Sequence, residues 1–313
     1  MSFSRSLVRL EVGIAVGIQR SIGRILALGK KNPNIKGKII SNYFGRKYVP
    51  LLPKNFKPQL QLNTLKHGSD NTLWQWWGNA KGRKTPEIVK SCFRTASKHK
   101  GDLDHKILLE WESIKDYSDL PGFIYDRLKN GQMHIPHFTD LLRLNILKNH
   151  GGVWIDPTCY MTAPVPQYIL DEDFFVFLTE KRTQFSYSFM QNFFIRAKKG
   201  NFLLNAWHDL CIEYWKNEVK DIDYFQHQMM FRAIVTKNKI AKELFNKMPH
   251  VSEDETLKFI GPELFMKFDP KEWEKIRKAS FIQKLTYKDG RHTIADPRNY
   301  PDTYFSKLVS GNI

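Results

Sequence analysis

Residues 138–156 admit few arrangements. Positions 138–149 read as a helix, and His150-Gly151-Gly152 ends it, because glycine takes the turn just past a helix end without steric cost. Val153, Trp154 and Ile155 then form a short buried strand that runs into Asp156-Pro157. The rest of the chain repeats this alternation. Strands are expected at 72–77, 106–110, 174–179 and 189–197, and helices at 86–98, 202–215 and 225–235. Pro86 fits the first turn of its helix, with Thr85 as N-cap. Strand and helix in alternation define the class as α/β, with a mainly parallel, twisted sheet flanked by helices.

The first 70 residues read differently. Residues 1–60 hold twelve Lys or Arg and a single acid, Glu11, so +11 of the net +17 lies there. Within residues 5–28, Leu7, Leu10, Ile14, Ile18, Ile22 and Ile25 share one helical stripe, and Arg5, Arg9, Arg20 and Arg24 fall on the opposite face. A basic amphipathic helix of this kind suits either the surface of an anionic bilayer or a packing site on the protein's own core. Residues 30–70, rich in Lys, Asn and Pro, read as a connector laid over the surface, which assigns residues 71–313 to the globular domain.

The remaining composition narrows the function classes. An apolar fraction of 42% and a charged fraction of 26% belong to an ordinary globular chain of 313 residues. Cys92, Cys159 and Cys211 are far apart and odd in number, which argues for a reducing compartment and against a disulfide framework or thiolate zinc site. No apolar stretch has the length of a membrane span, and no secretory leader is evident. Nucleic acid is not an expected partner, since residues 1–40 contain one aromatic, Phe3, and no known nucleic-acid module.

Chemistry concentrates around the helix–strand unit. In open α/β sheets, ligands bind beyond the carboxyl ends of the strands, where Asp156 stands. An Asp there can coordinate a divalent cation or accept from hydroxyls, although many such residues only close turns. Asp140 and Arg143 are three residues apart and share a face of the upstream helix. The plain account of that pair is a surface salt bridge worth roughly a few tenths of a kcal/mol. The alternative is that all three charged groups reach one cavity.

Residues His137 to Arg143 (His-Phe-Thr-Asp-Leu-Leu-Arg), Leu147 and Gly151 to Asp156 together resemble the signature of the capsular-polysaccharide-synthesis proteins. These are grouped with the family 32 glycosyltransferases, which include yeast mannosyltransferases with a DXD motif. The glucosylating domains of the large clostridial toxins resemble them more distantly. Asn71 to Gly78, Gln191 to Ile195, Gly261 to Leu264 and Lys284 to Lys288 are similar to further segments of the family, so the resemblance covers about residues 71–288.

The resemblance implies a GT-A-type fold, a nucleotide-sugar donor, a divalent cation (Mn²⁺ or Mg²⁺) and retention of anomeric configuration. It implies that Trp76 stacks on the nucleotide base, and that Asp140 and Arg143 grip the donor sugar. Asp156 would bind ribose and the metal, Gln191 would lie among the donor-binding residues, and Asn192 would bond the sugar near its anomeric carbon. Lys284 and Lys288 would add charge at the diphosphate or, on the plainer reading, stand on the surface. The chain departs from the DXD pattern by reading Asp156-Pro157-Thr158, with a hydroxyl where a second carboxylate is usual. No catalytic base is assigned. His227 reads as an acceptor-side group or as an ordinary helix histidine.

The expected function is therefore transfer of a sugar to a growing, lipid-linked surface glycan. The work would be done in the cytoplasm, peripherally at the membrane, with residues 1–30 on the anionic surface. Two other classes remain open at this point: a catalytically inactive sugar-binding partner of a polysaccharide-synthesis complex, and a basic nucleic-acid-binding protein.

Overall fold

The computed structural model describes residues 35–52, 65–78, 84–179 and 186–313, so the amphipathic stretch at 5–28 lies outside the described residues. Among the described residues there are seven strands: β1 (Thr72–Trp76), β2 (Asp104–Leu108), β3 (Gly152–Ile155), β4 (Cys159–Met161), β5 (Phe174–Leu178), β6 (Met190–Ala197) and β7 (Ile282–Lys284). Five of them form the main sheet in the order β2-β1-β3-β6-β5, while β4 and β7 pair separately. β1 lies parallel to β2 and β3, and β6 runs antiparallel to β3 and β5. Four strands therefore point one way and β6 alone opposes them, the mainly parallel α/β sheet read from the sequence. One consequence positions the site: the start of β6 lies at the same edge as the ends of β1 and β3.

The longer helices are α1 (Ile35–Lys47), α2 (Glu87–Lys98), α3 (Gly122–Lys129), α4 (Ile135–His150), α5 (Phe202–Asn217), α6 (Gln226–Lys237), α7 (Lys239–Lys247), α8 (Pro270–Ala279) and α9 (Tyr304–Ser310). β1, β3 and β6 are buried along their whole length, as central strands covered on both faces must be. α4 packs against α5 and the sheet and buries twelve of its sixteen residues, Asp140 and Arg143 among them. A helix enclosed this way must satisfy its charges internally, so the surface-salt-bridge account of that pair does not hold.

Some expectations shift. Residues 35–47 are not a connector laid over the surface but α1, whose Ile40 and Phe44, with Tyr48 just beyond, are fully buried in the main core. These residues recur every fourth position and share one face, which the intervening Lys, Gly and Asn obscure in the sequence. α1 lies on α6, and the Tyr48 hydroxyl donates to Glu218 at 2.9 Å. The second strand runs over Asp104–Leu108, two residues earlier than read. Pro86, not Thr85, holds the N-cap position of α2, and its ring has no polar atom to cap the helix.

A smaller core joins α2 to α8, α9 and the segments between them through Phe93, Phe259, Leu264, Trp273, Leu285 and Phe305. Ser91 and Arg94 of α2 donate to the carbonyls of Leu308 and Val309 at 2.5 and 2.6 Å. This core fixes the C-terminal segment against the sheet and carries β7, whose Lys284 pairs with Cys159 of β4. Among the described residues, no helix is long and apolar enough to cross a membrane.

Candidate active site

The turn between α4 and β3 is built by its glycines. Gly151 has φ +72° and Gly152 φ +107°, values that a side chain rarely tolerates. A Cβ on Gly152 would stand 2.3 Å from the Thr72 carbonyl, and one on Gly151 would strike the Asp70 carboxylate. The buried Trp74 indole donates to the Gly151 carbonyl at 2.9 Å and ties the turn to β1. Asp156 follows β3 with its N–H on the Phe193 carbonyl at 2.8 Å, which continues the β3–β6 ladder by one residue. The Gln75 side chain donates to the Asp156 carbonyl at 3.3 Å. The backbone at Asp156 is thus held from both neighbouring strands.

Eight of the ten residues singled out from the sequence (Trp76, Asp140, Arg143, Asp156, Thr158, Gln191, Asn192 and Lys284) line one cavity of about 520 Å³ at the carboxyl end of β1 and β3; Lys288 and His227 do not. That size suits a ligand of several rings. Lys288 does not line it; its ammonium sits 5.6 Å over the Tyr287 ring.

Arg143 is the hub. Its Nη1 donates to the Asn192 carbonyl at 2.5 Å, and its Nη2 lies 3.2 Å from both Asp140 Oδ1 and Asp156 Oδ1. Asp140 Oδ1 also accepts from Asn192 Nδ2 at 2.7 Å. Asp156 accepts from the Trp154 indole at 3.1 Å and from Lys284 Nζ at 2.5 Å.

Burial, the largest single influence, opposes the charge of both carboxylates, and only the neighbouring groups acting together outweigh it. The Arg143 guanidinium, with His137 and His227 beside the carboxylate, holds Asp140 well below the usual carboxylate range. Arg143 and Lys284 together lower Asp156. Burial likewise works against charge on Lys284, yet Asp156 beside it raises the ammonium's pKa.

His227 is fully buried behind Asp140 and does not line the cavity, so it is not an acceptor-side group. Its Nε2 accepts from the Trp215 indole at 2.9 Å. Its Nδ1 therefore carries the proton and donates to Asp140 Oδ2 at 2.9 Å. Burial, which lowers its pKa, keeps the ring neutral. His227 acts by fixing the rotamer of Asp140.

Several lining residues were not foreseen. Trp111 packs edge-on to Trp76, ring centroids 5.1 Å apart, and Gly78 closes on the same indole. Trp76 is consequently a wall of the cavity, only 3% exposed. Ile135, Tyr224 and Ile294 line the cavity and are each more than half exposed, forming an apolar rim. Trp76 Nε1, Arg143 Nε, Gln191 Nε2 and Gln228 Oε1 are buried polar atoms on lining residues with no hydrogen-bond partner in the protein. Buried polar groups are seldom left so, and a bound polar ligand accounts for a cluster of them in one cavity.

Two donor sets bear on a metal ion. His137, Asp140 and His227 have ligand atoms within 4.8 Å of one another, a grouping that could hold one. With its proton on Nδ1, however, His227 offers no lone pair there. At Asp156, where the cation was expected, Arg143 and Trp154 contact one oxygen, Lys284 contacts the other, and Thr158 brings only a hydroxyl. The residues present do not fit a divalent ion in either place as they stand.

The fold and the cavity define an α/β protein with a charged, ligand-sized site at the carboxyl edge of its sheet. The family model for capsular polysaccharide synthesis proteins matches residues 27–308, and the chain belongs to that family. It is similar to the O-glycosyltransferase braB of Annulohypoxylon truncatum, at 22% identity over 178 residues, which are 52% of this chain and 42% of that protein. The chain thus matches less than half the length of that relative. Among solved structures, a PaToxG glycosyltransferase shares 14% identity over 74% of this chain and 83% of its own, with a TM-score of 0.39.

Proposed function

We propose that the protein is a retaining glycosyltransferase that moves a sugar from a nucleotide-sugar donor to a growing surface glycan. The observation that carries this reading is the convergence of Asp140, Arg143, Asp156, Asn192 and Lys284 on one cavity whose polar atoms are incompletely paired. Family membership and the similarity to a named O-glycosyltransferase support it.

In this reading Asp140 and Asn192 hold the donor sugar by its hydroxyls, and Arg143 and Lys284 face the diphosphate. Trp76, Trp111 and Gly78 shape the wall beside the base. The bond between the anomeric carbon and the phosphate oxygen breaks, and its electron pair stays on the phosphate. Both cavity carboxylates are held ionised by cations, which makes them weak bases and poor nucleophiles. The acceptor hydroxyl therefore attacks from the face the phosphate leaves, and the departing phosphate oxygen takes its proton. A Mn²⁺ or Mg²⁺ ion on Asp156 would require Lys284 to leave that carboxylate.

The apolar rim of Ile135, Tyr224 and Ile294 supports an acceptor with flat sugar faces or a lipid-linked end. With the basic N-terminal stretch, it supports a reading in which the work is done at an anionic membrane surface. Deleting residues 1–30 is expected to move the protein from the membrane to the soluble fraction; unchanged partitioning would remove the membrane part alone.

A thermal-shift screen against nucleotide sugars tests the donor site, because a ligand of the folded state raises its apparent stability. At least one donor should raise the melting temperature of the wild type and fail to do so for Asp156→Ala. The absence of any shift across the panel counts against the reading.

A further inference from the structure

We propose that Lys284 is the fixed cation of the donor site, standing where a divalent metal would otherwise bridge Asp156 and the donor diphosphate; this rests on the donor-site reading above. The position is already taken. Lys284 Nζ lies 2.5 Å from Asp156 Oδ2, and the other carboxylate oxygen is occupied by the Trp154 indole and Arg143 Nη2. A dication on the same oxygen would meet the ammonium at close range, and like charges in a partly dry cavity repel strongly. Thr158, six per cent exposed and lining the cavity, offers no second carboxylate to compensate.

The placement of Lys284 is built into the fold. β7 pairs antiparallel with β4 so that Lys284 faces Cys159, three residues beyond Asp156, and the next N–H, that of Leu285, bonds the Thr158 carbonyl at 2.9 Å. The strand carrying the ammonium is therefore laced to the segment that carries the carboxylate. The small core around Leu285, Phe259 and Trp273 anchors it from behind. An ammonium has three N–H donors and Asp156 uses one, which leaves two for phosphate oxygens in the cavity.

Binding of the diphosphate should then depend on Lys284 and not on a metal. The full-length protein is titrated calorimetrically with UDP, GDP, ADP, CDP and dTDP in turn, once in excess EDTA and once in excess Mn²⁺. The diphosphate that binds is expected to do so with Kd values within about twofold in the two conditions. Lys284→Met should weaken it by about tenfold or more without rescue by Mn²⁺, and Lys284→Arg should keep most of the affinity. Binding by the wild type that requires Mn²⁺ overturns the proposal while leaving the donor site standing, and that comparison needs no variant to fold. A folded Lys284→Met that binds as tightly as the wild type overturns it as well. If no diphosphate binds in either condition, the donor-site reading falls and this inference falls with it.

Discussion

Asp140→Asn is expected to lower the rate of sugar transfer by about 100-fold or more, a loss typical of removing one electrostatic contact from a water-poor site. The carboxylate is ionised, oriented by His227 Nδ1–H and Asn192 Nδ2, and steadied by Arg143. Asparagine keeps the shape and can still accept from Asn192, but its amide nitrogen then faces the His227 Nδ1–H, so the melting temperature should fall as well, while turnover collapses. His227→Ala should act in the same direction more weakly, because it frees the rotamer of Asp140 without removing its charge. A near-wild-type rate for Asp140→Asn would show that this carboxylate does not hold the substrate.

Arg143→Ala is expected to cost both activity and about 3–5 kcal/mol of stability, the range for removing one partner of a buried ion pair. The loss is large because one guanidinium serves two carboxylates and a carbonyl, and all of these would be left in a cavity with little water. The effect on pH dependence follows from linkage. Asp140 and Asp156 have lowered pKa values in the folded protein. Their stabilisation is therefore present above the unfolded carboxyl value of 3.8 and is lost as pH falls below it toward the depressed folded values. Without Arg143 the folded values rise, so acid unfolding of the variant should begin at a higher pH than that of the wild type. Chemical denaturation at pH 7 and pH 4 measures both parts, and equal stability of the two proteins would refute the hub role.

The sequence disclosed the local half of the site. Helix, glycine pair and buried strand are a contiguous signal, and the spacing of Asp140, Arg143 and Asp156 allows all three side chains to reach one cavity. Gln191, Asn192 and Lys284 could be singled out only by resemblance, since nothing in local periodicity says that β6 opposes its neighbours and starts where β3 ends. β7 is three residues long, and its place is set by a core formed with α2, α8 and α9. The supporting residues behind Asp140 were similarly hidden. Trp215 and His227 come from two different helices, and their contact is a product of packing.

The basic N-terminal region shows how net charge can mislead. Its lysines and asparagines gave residues 30–70 the look of a solvated connector. Yet Ile40, Phe44 and Tyr48 bury one complete face against α6 and Tyr214. A stripe of three residues at four-residue spacing is enough to seat a short helix when a preformed apolar surface receives it.

The reaction proposed for the cavity is cleavage of the bond between a sugar and a nucleoside diphosphate. Release of the diphosphate from nucleotide sugars, followed with acceptor absent and then with a lipid-linked glycan added, tests it most directly. Slow release from one donor is expected without acceptor, with acceleration on adding the glycan and loss of both in Asp140→Asn and Arg143→Ala. Binding of a nucleotide sugar with no release under either condition would contradict it and identify the protein as a sugar-nucleotide-binding partner.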